Sequence, residues 1–104
     1  MQVYWTDIAI DSLNAVHAFV EGKWGQTIAD NFLELVDQSI TLLQSQPEIG
    51  HKTMGTEFRS LVIHKNVSLF YDFQIDLLKI LLVWDNRQDP ATLTDIMIQY
   101  KGEV

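Results

Sequence analysis

Apolar residues recur at two different periods along this chain, and the change of period divides it into a helical and a sheet-forming half. Ala9, Leu13, Val16 and Val20 follow at spacings of four, three and four, one stripe of an amphipathic helix. Thr6 or Asp7 supplies an N-cap, and Gly22 is placed to close that helix as the residue after its last turn. A second segment starts at Trp24-Gly25. Ile28, Phe32, Leu35, Val36, Ser39, Ile40 and Leu43 again recur at three and four, to about Ser45, and Pro47 prevents extension. The short link between the segments predicts an antiparallel helix hairpin. Ahead of it, Gln2 to Trp5 predicts a short strand.

Pro47 to Thr56 is polar, holds Gly50 and Gly55, and reads as a loop. From Phe58 the period becomes two. Arg59, Leu61, Ile63 and Lys65 fall on one side of a strand, and Phe58, Ser60, Val62 and His64 on the other. Lys65-Asn66 makes a tight turn. Val67, Leu69, Tyr71 and Phe73 then alternate with Ser68, Phe70, Asp72 and Gln74, a turn follows at Gln74-Ile75-Asp76, and Leu77 to Trp84 completes a three-stranded meander. Asp89-Pro90 resembles an N-cap with proline at the first helical position, and Leu93, Ile96, Met97 and Tyr100 give a short last helix its docking face. The order is N-terminal strand, helix hairpin, three-stranded antiparallel meander and short C-terminal helix. This is an α+β fold, a single domain over residues 1–104, with the helices packed on one face of a small sheet.

Composition narrows the function. The chain lacks cysteine, which excludes disulfides and thiolate metal sites. Seven basic residues stand against fourteen acidic ones, for a net charge of −7. General nucleic-acid binders neutralise phosphates with Lys and Arg, so that class is disfavoured, and a basic protein or peptide partner fits better. Acidity also serves solubility alone. The longest apolar segment, Leu77 to Trp84, contains Lys79 and is too short to span a bilayer. Met1 to Asp7 has neither a basic region nor a long apolar stretch, so no signal peptide is expected and the expected compartment is the cytoplasm.

The chemistry concentrates at Lys79-Ile-Leu-Leu-Val-Trp-Asp-Asn-Arg-Gln-Asp-Pro90. Its apolar run stops at Trp84, and the charged Asp85, Arg87 and Asp89 follow, too costly to bury unpaired. Arg87 therefore sits at the rim of the sheet. It either grips an anion bidentately or forms a surface ion pair with Asp85 or Asp89. Arg59, at the start of the second strand, reads first as a strand-face residue paired with an acid such as Glu57 or Asp72. His17, His51 and His64 match no helical metal-binding spacing. Trp5, Trp24 and Trp84 read as packing residues. Of the acid pairs, Asp7/Asp11 lies at a helix start and Asp72/Asp76 spans a turn, and neither is an acid/base dyad.

Taken in order, Trp5-Thr-Asp-Ile-Ala, Trp24-Gly25, Pro47-Glu-Ile-Gly50, Phe58-Arg-Ser-Leu-Val-Ile, Val67-Ser-Leu-Phe-Tyr-Asp-Phe and the closing Arg-Gln-Asp-Pro resemble the RelE/ParE superfamily of bacterial toxins from type II toxin–antitoxin modules. The resemblance runs from Val3 to about Leu93. It implies a plasmid-stabilising toxin neutralised by a cognate antitoxin, and two biochemistries on one fold: RelE-like members cut mRNA on the ribosome, whereas ParE-like members poison DNA gyrase. It implies no cofactor, metal or membrane.

For a ribonuclease, the resemblance makes Arg87 and Arg59 the catalytic candidates. Metal-free RNA cleavage must stabilise phosphorane charge and move protons, which calls for several basic groups. Ser68 falls where nuclease members tend to carry another arginine, and Asp85 falls near a position that is often histidine. No tyrosine stands near Leu93, and Tyr100 comes several residues late. A ParE-like binder needs no catalytic set and ranks first, a toxin fold without toxicity second, a RelE-like ribonuclease third. An antitoxin is expected on apolar surface left by the hairpin and on the open sheet edge. Open edge strands are also a route to a homodimer.

Overall fold

The computed structural model describes residues 1–53, 57–88, 91–93, 95 and 96. The elements are β1 (Gln2–Trp5), α1 (Asp7–Trp24), α2 (Gln26–Ser45), β2 (His51–Lys52), β3 (Arg59–His64), β4 (Val67–Gln74) and β5 (Leu77–Asp85). They build one five-stranded sheet in the order β1-β5-β4-β3-β2. β1 runs parallel to β5, and the other neighbours are antiparallel. Residues 91–93, 95 and 96 are helical.

The α+β architecture matches the periodicities, with three local differences. Gly22 does not close α1; the helix runs on to Trp24, and Gly25 turns the chain instead at φ 95°, ψ 171°. An L residue with a Cβ strongly disfavours that conformation, so the break falls where glycine is needed and not at the first glycine met. The stretch from Pro47 to Thr56 is not all loop: His51 and Lys52 pair with Ser60 and Arg59 as the short edge strand β2. The third difference concerns His64 and belongs to the site. The expected Asp89-Pro90 cap, Met97 and Tyr100 lie outside the described residues.

The helices form one layer over the sheet. Ala9 and Val16 of α1 and Phe32, Val36, Ile40 and Leu43 of α2 close over Val67, Leu69, Tyr71, Leu78, Ile80 and Val83. Burying each such side chain contributes about 1.5–3 kcal/mol. The opposite sheet face carries Phe58, Phe70, Leu81, Leu82 and Trp84, with Ile8, Leu93 and Ile96 packed against them. Leu93 and Ile96 thus dock as the sequence pattern predicts.

β1 stops pairing at Trp5 opposite Ile80, which leaves the outer side of β5 open beyond that point. The start of α1 fills it. Thr6 N–H donates to the Ile80 carbonyl, its hydroxyl donates to the Leu81 carbonyl at 3.3 Å, and Val83 N–H donates to Ser12 Oγ at 2.9 Å. Thr6 Oγ1 also accepts from Ala9 N–H at 3.0 Å, the N-cap bond of α1. One threonine therefore caps the helix and ties it to the strand it covers. At the far end of the hairpin, Tyr71 donates to the Pro47 carbonyl at 2.7 Å and accepts from Gly50 N–H at 2.9 Å, fixing the chain as it leaves α2.

Candidate functional site

Two bulges build the site. On β5, Tyr71 pairs with Ile80 and Phe70 with Leu82, so the register steps over Leu81. On β3, Val62 pairs with Ser68 and His64 with Val67, which leaves Ile63 unmatched. An extra residue in one strand reverses the alternation beyond it. Past Leu81, Val83 and Asp85 turn to the helix-covered face and Leu82 and Trp84 to the other. Past Ile63, His64 joins Leu61 and Val67 instead of Val62. Strict period two had put His64 with Val62, and the bulge is the reason it is elsewhere. The result is a cross-strand row of His64, Val67 and Asp85 at one end of the sheet.

An open groove of about 360 Å³ lies there, walled by Val20, Trp24, Ile28 and Leu35 of the hairpin and by Val67, with His64, Asn31, Asn66 and Arg87 at its polar margins. A second groove lies across Arg87, between Ala15 and Phe19 of α1 and Asp85 and Gln88. Arg87 belongs to both. Around it, half-exposed aromatics crowd together: Phe19 and Trp24 meet edge to face at 6.1 Å, Lys23 Nζ stands 5.6 Å and 5.1 Å from their rings, and the Arg87 guanidinium lies 5.3 Å from the Phe19 ring.

Arg87 follows β5 in a turn held by Asn86 N–H on the Asn66 carbonyl and Gln88 N–H on the Asp85 carbonyl. Asp85 takes up its functional edge. Arg87 Nε donates to Oδ1 at 2.9 Å, Nη2 to Oδ2 at 2.6 Å, and the backbone N–H of Arg87 to Oδ1 at 2.9 Å. Of the two partners expected for it, Asp85 is the one observed; Asp89 lies outside the described residues. Asp85 is 8% exposed. Its carboxyl is held below the usual carboxylate range, first by the guanidinium hydrogen bonds, while burial pushes the other way. Arg87 is correspondingly held above its ordinary value by the same bonds.

Arg59 is not part of this site. It opens β3 opposite Tyr71, four residues along β4 from Val67, about 13 Å by strand rise. Its Nη1 donates to the carbonyls of Glu48 and Gly50 at 3.0 and 2.9 Å, and its guanidinium lies 5.7 Å from the Phe73 ring. The acid partner expected from Glu57 or Asp72 is not found: backbone carbonyls hold Arg59 instead, and Asp72 accepts from the backbone N–H of Phe73. Ser68 lies on the other sheet face, opposite Trp84, where its hydroxyl accepts from Asn86 Nδ2 at 3.1 Å. Leu93 packs in the apolar cluster of that face. His17 sits between the helices, 3.7 Å from Asp30 and 3.9 Å from Glu21, and His51 lies on the edge strand β2. Among the described residues no three His, Cys, Asp or Glu side chains gather as metal ligands. The residues that periodicity did not single out are Phe19 and His64. Phe19 falls off the apolar stripe of α1, and an unexplained exposed aromatic was the available signal.

A family model described as the ParE toxin of the type II toxin–antitoxin system parDE matches residues 3–90. The chain belongs to that family. As a ParE toxin it has a cognate antitoxin as its partner. Solved structures carry the same fold. The chromosomal ParDE toxin–antitoxin system of P. aeruginosa superposes with a TM-score of 0.71 at 18% identity, over 82% of this chain and 95% of the other. A copper-bound mutant toxin from Helicobacter pylori gives 0.58 at 16% identity, over 82% and 93%. A YoeB/ParE toxin from Agrobacterium tumefaciens gives 0.57 at 15% identity, over 82% and 98%. Comparison of the sequence with curated proteins gives no match. Among the described residues of the toxin, no helix is long and apolar enough to cross a membrane.

Proposed function

We propose that this toxin acts in the bacterial cytoplasm by binding a protein target, DNA gyrase, and not by cutting RNA. The observation that carries this reading is the closed Asp85–Arg87 pair. Stabilising a phosphorane needs guanidinium N–H groups aimed at the reacting phosphate. Here the side-on edge of Arg87, Nε and Nη2, is already filled by a carboxylate 2.6–2.9 Å away, whose charge also repels a phosphate from the rest of the guanidinium. The other candidate cation, Arg59, lies at the opposite end of β3 with Nη1 committed to two carbonyls. A binder needs neither group free. What the site does offer is an apolar groove with half-exposed Trp24 and Ile28 on its wall, the kind of surface that takes an amphipathic peptide. The antitoxin is proposed to seat its neutralising segment there.

The test is induced expression in a bacterial host without the antitoxin. Growth arrest with filamentation and covalently trapped gyrase–DNA complexes is the expected result. Arrest accompanied by codon-positioned mRNA cuts would overturn it in favour of a ribonuclease, and no arrest would leave a toxin fold without toxicity.

A further inference from the structure

We propose that Asp85 is a specificity-determining residue: it fills the anion-binding edge of Arg87 from within the chain and so keeps the groove from engaging polynucleotide phosphates. The proposal rests on the protein-binding reading above and deepens it, by naming the group that selects protein over nucleic acid.

Guanidinium presents a flat fork that matches carboxylate and phosphate alike. An arginine between two open grooves, with its guanidinium over the Phe19 ring, is therefore a ready phosphate anchor unless something occupies it. Asp85 occupies it with both oxygens, and Oδ1 is held a second time by the backbone N–H of Arg87. A phosphate approaching the side-on edge, Nε and Nη2, must displace a carboxylate tethered two residues away, whose effective concentration is that of a very short linker, millimolar or more, and one approaching the end-on pair, Nη1 and Nη2, meets that carboxylate's negative charge close by. Displacement would also strand an ionised carboxylate in a site only 8% exposed.

The arrangement depends on the bulge at Leu81. Without the extra residue, the alternation from Leu78 and Ile80 would carry Leu82 and Trp84 onto the helix face and Asp85 onto the other. The pair, only two residues apart, would then stand away from Phe19 and the groove. The bulge aims the mask, and the turn at Asn86 lets Arg87 fold back onto it.

Asp85→Asn keeps the shape and the Oδ1 acceptor for the Arg87 backbone N–H but removes the competing charge. Binding of a fluorescein-labelled oligouridylate to the purified toxin is measured by anisotropy across a salt series, and the Arg87 Nε–H resonance is followed on adding inorganic phosphate. Asp85→Asn should bind the oligonucleotide at least about tenfold more tightly than the unmutated toxin. The logarithmic salt slope should steepen by about 0.7, one additional neutralised phosphate on a single strand. The gain should vanish in the Asp85→Asn/Arg87→Gln double variant, and Arg87 Nε–H should shift with phosphate in Asp85→Asn alone. Asp85→Ser, which also retains an acceptor, serves in its place should the asparagine variant not fold. A folded variant with no gain overturns the proposal, and so does a gain that survives loss of Arg87. No gyrase is present in this assay, so failure of gyrase trapping in cells and failure of the mask are read separately.

Discussion

Tyr71→Phe removes one oxygen from the place where α2 hands the chain to the edge of the sheet, and its cost can be worked from the geometry. Tyr71 is completely buried, and phenylalanine refills its volume without a cavity. What is lost is the donor to the Pro47 carbonyl and the acceptor for Gly50 N–H. Gly50 is buried, and space beside it is closed: a Cβ there would collide with the Tyr71 hydroxyl and stand 2.9 Å from the Ser60 carbonyl oxygen. A buried group left unpaired costs about 1–3 kcal/mol, and the less buried carbonyl of Pro47 costs less, for a total of about 2–4 kcal/mol. In a domain of this size that lowers the thermal midpoint by on the order of 10–25 °C. Urea unfolding followed by circular dichroism at constant m measures the loss. A loss below about 0.5 kcal/mol would refute the reasoning and assign the anchoring to Arg59, which donates to the Gly50 and Glu48 carbonyls. The same residue has an alkaline signature. Burial, opposed by the Gly50 hydrogen bond and the Arg59 charge, raises its pKa above the ordinary 10.0. A raised acid contributes stability that is fully present below the unfolded value and is lost as pH rises through the folded one. The unmutated protein should therefore lose stability above about pH 10 more steeply than Tyr71→Phe, and parallel curves would contradict the assignment.

Three further outcomes are expected. Gly25→Ala meets no atom within 4 Å, so its cost is the backbone conformation alone, about 1–3 kcal/mol in urea unfolding, and a neutral result would mean the hairpin turn is not held at φ 95°. Asp85→Asn should be less stable than the unmutated toxin at neutral pH. Because the Asp85 pKa is depressed, its contribution is present above about 3.9 and is lost as pH falls through the folded value, so the two urea midpoints should converge in acid; a constant gap would show that charge is not the cause. Trp24→Ala, at a half-exposed position, should change stability by no more than about 1 kcal/mol yet weaken antitoxin binding by about 2 kcal/mol, near thirtyfold by calorimetry, and unchanged affinity would move the antitoxin off this groove.

Local pattern carried most of the architecture. Helical spacing from Ala9 to Val20 and from Ile28 to Leu43, and the alternation after Phe58, are properties of neighbouring residues, so the hairpin and the meander were legible from the chain alone. The Asp85–Arg87 pair, two residues apart, was among the alternatives the chain left open, as a surface pair; the structure buries its carboxylate. The glycine that ends α1 was misplaced because periodicity does not distinguish Gly22 from Gly25; only the backbone dihedral does.

The sequence by itself determined the types of the elements other than β2, the acidic balance, the family resemblance and the placement of Arg87 beyond the last strand. Tertiary structure decided the rest, because it depends on register between distant strands. The bulges at Ile63 and Leu81 exist only relative to β4, and they send His64 and Asp85 to the helix side and Trp84 to the other. Cross-strand pairing sets Arg59 four residues along β4 from the row that holds Asp85, although Arg59 and Arg87 carry the same charge and chemistry. A periodic pattern records which side a residue takes within one strand, whereas a site records which strands meet and where an extra residue reverses their phase.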